Sequence, residues 1–245
     1  MEGRGIWFRR CRNVEIEDVN IMSRVCTGDG IDIVGCEDVT LRNSFIRASD
    51  DCVCIKAASY PDPAANRNVK NILVEHCVLW NAEPGNAVEI GYEVRCDEIS
   101  DITFRDLDIV HCQYEGNQSG GVLTIHSADR AYIHNIVYED IRVEDAQEKF
   151  IDIKVLDSKY SLDRSRGRVE DIFFRNIEIL NGNFPVSIIR GFEMHTEMSR
   201  PQNIHFDNVV VLGEHINSPS DLHMVVELSN DIWFNGKVHV KRNPF

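Results

Sequence analysis

A short phrase, an Asn or Asp followed by alternating aliphatic and polar residues, recurs along the chain at 13–19, 38–44, 71–77, 101–107, 135–141, 171–177 and 203–209. The aligned aliphatics Val14, Val39, Ile72, Ile102, Ile136, Ile172 and Ile204 are separated by 25, 33, 30, 34, 36 and 32 residues. A period of that size marks a solenoid, in which each repeat buries its apolar face only by stacking on the next. Inside each phrase the period is two, the signature of a strand with one face inward, and the leading Asn or Asp is a turn former. A second strand-like run follows in each repeat, at 30–33, 52–56, 87–91, 122–126, 151–154 and 186–189. Ankyrin and tetratricopeptide repeats share the period but need pairs of amphipathic helices, and these windows carry β-branched runs instead. The Leu and Asn ladder of a leucine-rich repeat is absent. The expected fold is all-β, a right-handed parallel β-helix of about seven to eight coils forming one domain over residues 1–245.

The repeat begins within the first 15 residues, and a solenoid needs its ends covered. The amino end is therefore expected to be covered by a subunit contact in a homo-oligomer, or by coils and a cap of a longer chain. A formal charge of −14 disfavours a nucleic-acid partner, because phosphate binding draws on clustered Lys and Arg. No run approaches the ~20 apolar residues of a membrane span, so no membrane partner is expected, and Met1 to Ile6 lack the apolar run of a signal peptide. The eight cysteines include no Cys-x-x-Cys pair and are read as small buried residues rather than metal ligands. His195 and His215 stand without ligand spacing, so neither a metal nor any other cofactor is expected.

Stacking makes neighbours of residues distant in sequence, about 4.8 Å apart at equivalent positions of successive coils. Asp29 precedes the second strand of its coil, and Asp50 and Asp51 precede that of the next. The three carboxylates are thus expected at matching edges of one face. Ile31, Ile33, Val53, Ile55, Val88 and Ile90 take the inward positions, which leaves Asp32, Cys54, Glu89 and Thr124 as an outward row flanked by Lys56 and His126. Each Asp alone is also an ordinary turn residue. The set, one coil apart and ahead of equivalent strands, favours chemistry. Crowded carboxylates raise at least one pKa, which keeps one acid protonated beside an ionised base, the pair that glycoside hydrolysis uses.

The segments Gly28-Asp29-Gly30-Ile31-Asp32-Ile33 and Ser49-Asp50-Asp51-Cys52-Val53-Cys54-Ile55-Lys56 resemble glycoside hydrolase family 28, the polygalacturonases and rhamnogalacturonases. That family carries an Asn-Thr-Asp-Gly-Ile-Asp segment and then an Asp-Asp-Cys-Ile-x-Ile-Lys segment. The resemblance implies a pectin-lyase-like β-helix and inverting hydrolysis of a carbohydrate, with Asp50 as general acid and Asp29 and Asp51 activating the water. Two departures stand out: Gly85-Asn86-Ala87 replaces a Gly-His-Gly, and Thr124-Ile125-His126 replaces an Arg-Ile-Lys. Without that Arg a uronate and a neutral sugar are both open, since a guanidinium fork is the usual partner of a carboxylate. Residues 79–91 are also similar to dextranase-like β-helix hydrolases. Asp32, Lys56, Asn86, Glu89, Thr124 and His126 are the candidate substrate-binding residues, and Trp80 and Tyr92 lie near enough to stack on a sugar. Two other functions fit such a chain: a non-catalytic, tailspike-like carbohydrate-binding solenoid, and a calcium-dependent polysaccharide lyase. The loops at 57–68, 113–121 and 157–168, which would set the linkage, carry no readable motif.

Overall fold

A computed structural model describes residues 5–58, 67–82, 85–113, 120–147, 149–183, 186–194 and 197–240. The chain winds as a parallel β-solenoid. One sheet stacks eight strands, among them Ile31–Val34, Val53–Lys56, Val88–Tyr92, Gly121–Ser127 and Lys149–Val155 in that order. A second sheet of twelve strands stacks the recurring phrases, and Val39, Ile72, Ile102, Ile136, Ile172 and Ile204 pair in register along it.

The phrase openers Asn13, Asp38, Asn71, Asp101, Asn135, Asp171 and Asn203 all sit at φ between 53° and 58°. Each coil turns a corner there through one left-handed residue, a conformation that costs most L-residues ~1–2 kcal/mol and that Asn and Asp tolerate best. Asn and Asp alternate up this column, and the Asn amides donate to the Asp one coil below, at 2.7 Å from Asn71 to Asp38 and 2.5 Å from Asn135 to Asp101. Alternation avoids a column of like charges. Asn135→Ala is expected to lower stability by about 1–2 kcal/mol, whereas Asn135→Gly keeps the corner and loses only the hydrogen bond. Urea unfolding of the two variants against the parent checks this, and equal losses would remove the backbone explanation.

A second left-handed corner follows five residues later, at Asp18, Asn43, His76, Asp106, Asp140, Asn176 and Asn208. The expectation of two strands per coil is corrected here. The phrase strand does not end at this corner but bends and continues, so that strands such as Val69–Asn81 and Glu98–Cys112 line two faces of the coil. The bend preserves ladder pairing on both sides of it.

The interior is a set of columns. Isoleucines and valines fill most of it, and one column stacks Phe104, Tyr138, Phe174, Phe206 and Phe234 with ring centroids 4.7–5.0 Å apart. Burial of each such side chain stabilises the fold by ~1.5–3 kcal/mol. Six of the eight cysteines are buried and all eight are free thiols; Cys11 is half-buried and Cys26 exposed.

Candidate active site

Asp29 leads into Ile31–Val34, and Asp50 and Asp51 lead into Val53–Lys56, the neighbouring strand of the first sheet. The two leads are tied directly: the amides of Ser49 and Asp50 both donate to the Gly28 carbonyl, at 3.3 and 3.2 Å, and the Gly30 amide donates to the Asp51 carbonyl at 2.7 Å. One oxygen from each of Asp29, Asp50 and Asp51 lies within 4.8 Å of the other two. At that separation, with an effective dielectric of ~20, each pair of ionised carboxylates repels by about 3 kcal/mol.

The three differ in their surroundings. Asp51 is buried, and its Oδ1 accepts from the Asn86 amide at 3.0 Å and from Asn86 Nδ2 at 2.7 Å. Burial, then the charges of Asp50 and Asp29, push its carboxyl well above the ordinary range. Asp29 is also buried and is held by Lys56 Nζ at 3.3 Å. Asp50 is the most open of the three. Its main-chain carbonyl accepts from Asn81 Nδ2 at 2.8 Å, and Asn81 is a wholly buried amide that the sequence reading did not single out. Asn81 stands one coil above Ala48, at the end of the continued strand. The three oxygens are of the type a hard divalent cation takes, but such an ion wants six to eight, and the Lys56 ammonium already supplies local positive charge.

The outward row exists: Asp32, Cys54, Glu89, Thr124 and Asp152 pair in register. It does not face solvent, which corrects the expectation of an open, outward-facing row. Asp32, Glu89, Thr124 and His126 are each 0–1% exposed and Asn86 is 4% exposed. Most of their polar atoms pair with neighbours, although Asp32 Oδ2 is buried without a hydrogen-bond partner. Lys56 Nζ bridges Asp29 and Asp32, the second at 3.1 Å. Burial pushes the Asp32 carboxyl up to about 7 against the pull of Lys56, with Asp29 adding to the rise. Burial works against the Lys56 charge, yet Cys54 and then the carboxylates of Asp32 and Asp29 raise its ammonium well above the ordinary range. Thr124 Oγ1 donates to the Val88 carbonyl at 2.9 Å and lies against Glu89. His126 Nδ1 lies 2.9 Å from Glu89 and its Nε2 3.4 Å from Asp152. Gly91 makes room for this pairing, since a Cβ there would stand 2.6 Å from Glu89 Oε1. The Asn86 Oδ1 accepts from the Gly121 amide at 2.8 Å. These residues form a supporting layer behind the aspartates.

Of the two aromatics, Tyr92 stacks on His126 at 4.6 Å beneath Tyr160, whereas Trp80 is 41% exposed. Glu83, Pro84, His195 and most of the loops at 57–68 and 113–121 lie outside the described residues.

Gly85 sits at φ 93°, and a Cβ on it would stand 2.6 Å from Asp50 Oδ1 and from the Asp50 carbonyl carbon. Gly85→Ala is therefore expected to push Asp50 out of place and to lower kcat by up to ~100-fold, as a displacement of about 1 Å can. Turnover at saturating substrate checks it, and an undiminished rate would show that Asp50 tolerates the shift.

Comparisons with known proteins agree with this geometry. The model of glycosyl hydrolases family 28 matches residues 4–215. Two exopolygalacturonases of Zea mays are each 27% identical, over 175 and 179 residues, or 69% of this chain. The chain spans 39% of the length of the curated relatives it matches. A match over residues 4–215, on a parallel β-solenoid whose stacked coils bring Asp29, Asp50 and Asp51 together, places the chain in family 28 of the glycosyl hydrolases.

Proposed function

We propose that the protein hydrolyses glycosidic bonds in a pectic polysaccharide, with Asp50 donating a proton to the leaving oxygen and Asp29 and Asp51 activating the water. The observation that carries this is the meeting of three carboxylate oxygens within 4.8 Å at matching edges of adjacent coils. Such crowding favours a retained proton, and that proton belongs to the group as a whole. The greater openness of Asp50 supports its choice as the member that passes it on. The names of the two relatives, both exopolygalacturonases, point to a galacturonate polymer. Inversion rests on the family resemblance. A 4.8 Å oxygen contact is shorter than the ~6.5–9.5 Å usually left between acid and base for a water, so product stereochemistry is a separate readout.

The test is release of reducing ends from a panel of pectic and neutral polysaccharides, with the anomer of the first product followed by proton NMR. Release from a pectic substrate supports the reading, and inverted product supports the assigned roles. Silence across the panel, or an unsaturated product absorbing in the ultraviolet, overturns it.

A further inference from the structure

Lys56 closes the strand Val53–Lys56, which Asp50 and Asp51 lead into, and lies in register beside Val34 on the preceding coil. Its side chain is 13% exposed, and its Nζ stands 3.3 Å from Asp29 and 3.1 Å from Asp32, both buried. Among the described residues no other cation pairs with either carboxylate. The other groups that face the ammonium are Cys54 on its own strand, Asp51 just before that strand, and Glu93 from the next coil. Glu93 is brought there by its carbonyl, which accepts from the Ala57 amide at 2.9 Å. A buried ion pair seldom stabilises a fold more than apolar packing of the same volume. Stability alone therefore gives no reason for an ammonium here, but its contacts do. Of the aspartate cluster it pairs with Asp29, whereas Asp51 gives its Oδ1 to the two nitrogens of Asn86. Burial pushes the Asp32 carboxyl up to about 7, so on the acid side of neutrality Asp32 carries its own proton and the ammonium answers to Asp29.

We propose that Lys56 is a positioning residue that keeps the negative charge of the cluster on Asp29, making Asp29 the base and leaving the retained proton to Asp50 and Asp51. The inference rests on the hydrolase reading and adds what divides base from acid among three like groups. Crowding by like charges favours the neutral form of a carboxyl, and an opposite charge within ~4–6 Å favours the ionised form. In the step itself the water oxygen bonds to the anomeric carbon and its proton passes to Asp29. The glycosidic bond breaks toward the leaving oxygen, which takes the proton of Asp50. Lys56 exchanges no proton, because the groups around it hold its ammonium well above the ordinary range.

The experiment is the pH profile of kcat/KM on polygalacturonate for the full chain, Lys56→Met and Lys56→Arg, with a thermal melt of each. Lys56→Met is expected to move the acid limb up by about one pH unit or more. The loss is then about tenfold per unit below the limb and shrinks as the pH rises past it. Lys56→Arg keeps the charge and is expected to leave the limb in place. A purely structural role would lower the rate equally at every pH, and that result, or an undiminished rate, would overturn the proposal. If Lys56→Met does not fold with Asp32 left unpaired, Lys56→Met combined with Asp32→Asn removes both charges, and the same shift is expected against Asp32→Asn alone. Isotope-edited infrared titration of the aspartate carboxyls in these last two variants needs no turnover. One more protonated carboxyl between about pH 4 and 6 on losing Lys56 supports the proposal, and an unchanged count overturns it. A parent that cleaves no polymer yet shows that change ends the hydrolase reading and keeps the placing of the charge; cleavage with an unchanged count does the reverse.

Discussion

Replacing Asp50 by Asn lowers kcat by roughly 100- to 10,000-fold, the span over which a positioned general acid contributes, while the protein stays folded and its melting temperature holds. The reason lies in the unequal placing of the three carboxylates. Asp51 is buried with one oxygen taken twice by Asn86, and Asp29 is buried against Lys56. Neither can follow a leaving oxygen. Asp50 is more open, yet one of its oxygens lies within 4.8 Å of its neighbours, a crowding that favours a retained proton. Asn matches the shape of Asp but cannot donate an acidic proton, so the loss falls on kcat and on kcat/KM equally, with KM little changed. Asn keeps the uncharged state of the protonated acid, so the cluster gains no repulsion, worth about 3 kcal/mol per ionised pair, and the fold is kept while the activity is lost. Reducing-end release and a thermal melt on the same preparation give both readouts. Activity within a few-fold of the parent would remove Asp50 from the role of acid.

Much of the fold was legible because backbone geometry selects its own residues. An Asn or Asp at φ near 55° opens every phrase, so the corner of each coil is written in the sequence along with the alternation that follows it. The second corner was harder to see although six of its seven positions are Asn or Asp, His76 being the exception, because it falls inside the apolar alternation, which resumes at once, as at Cys77 and Leu79. The aspartate cluster was legible because stacking converts a one-coil offset into contact. Burial on the outward row was not. Alternation shows which side of a sheet a residue takes, but not that Tyr92 and Tyr160 lie over that side or that Glu89, His126 and Asp152 pair there.

His126→Gln is expected to cost roughly 3 kcal/mol at pH 6 and progressively less as the pH is raised toward 10. The imidazole is fully buried between Glu89 and Asp152, with Lys154 and Lys149 at 2.8 and 3.6 Å from Asp152. Burial alone disfavours its charge, but the two carboxylates overcome that and raise it from 6.5 to about 9. A basic group raised in the folded state contributes its full stability below the unfolded pKa, near 6.5, and loses it as pH climbs through about 9. Asp152 is lowered by the same pairing despite its burial, so its share is present above the ordinary carboxylate range and fades as pH falls through the lowered value. The network is therefore strongest between about pH 4 and 6.5. Asp32 and Asp51, both raised, lose stability as they ionise, but they do so in parent and variant alike. The difference between the two urea-unfolding curves across pH isolates the imidazole. A difference that stays constant from pH 6 to 10 would mean that His126 is neutral in the folded protein, held by hydrogen bonds and packing instead of by its charge.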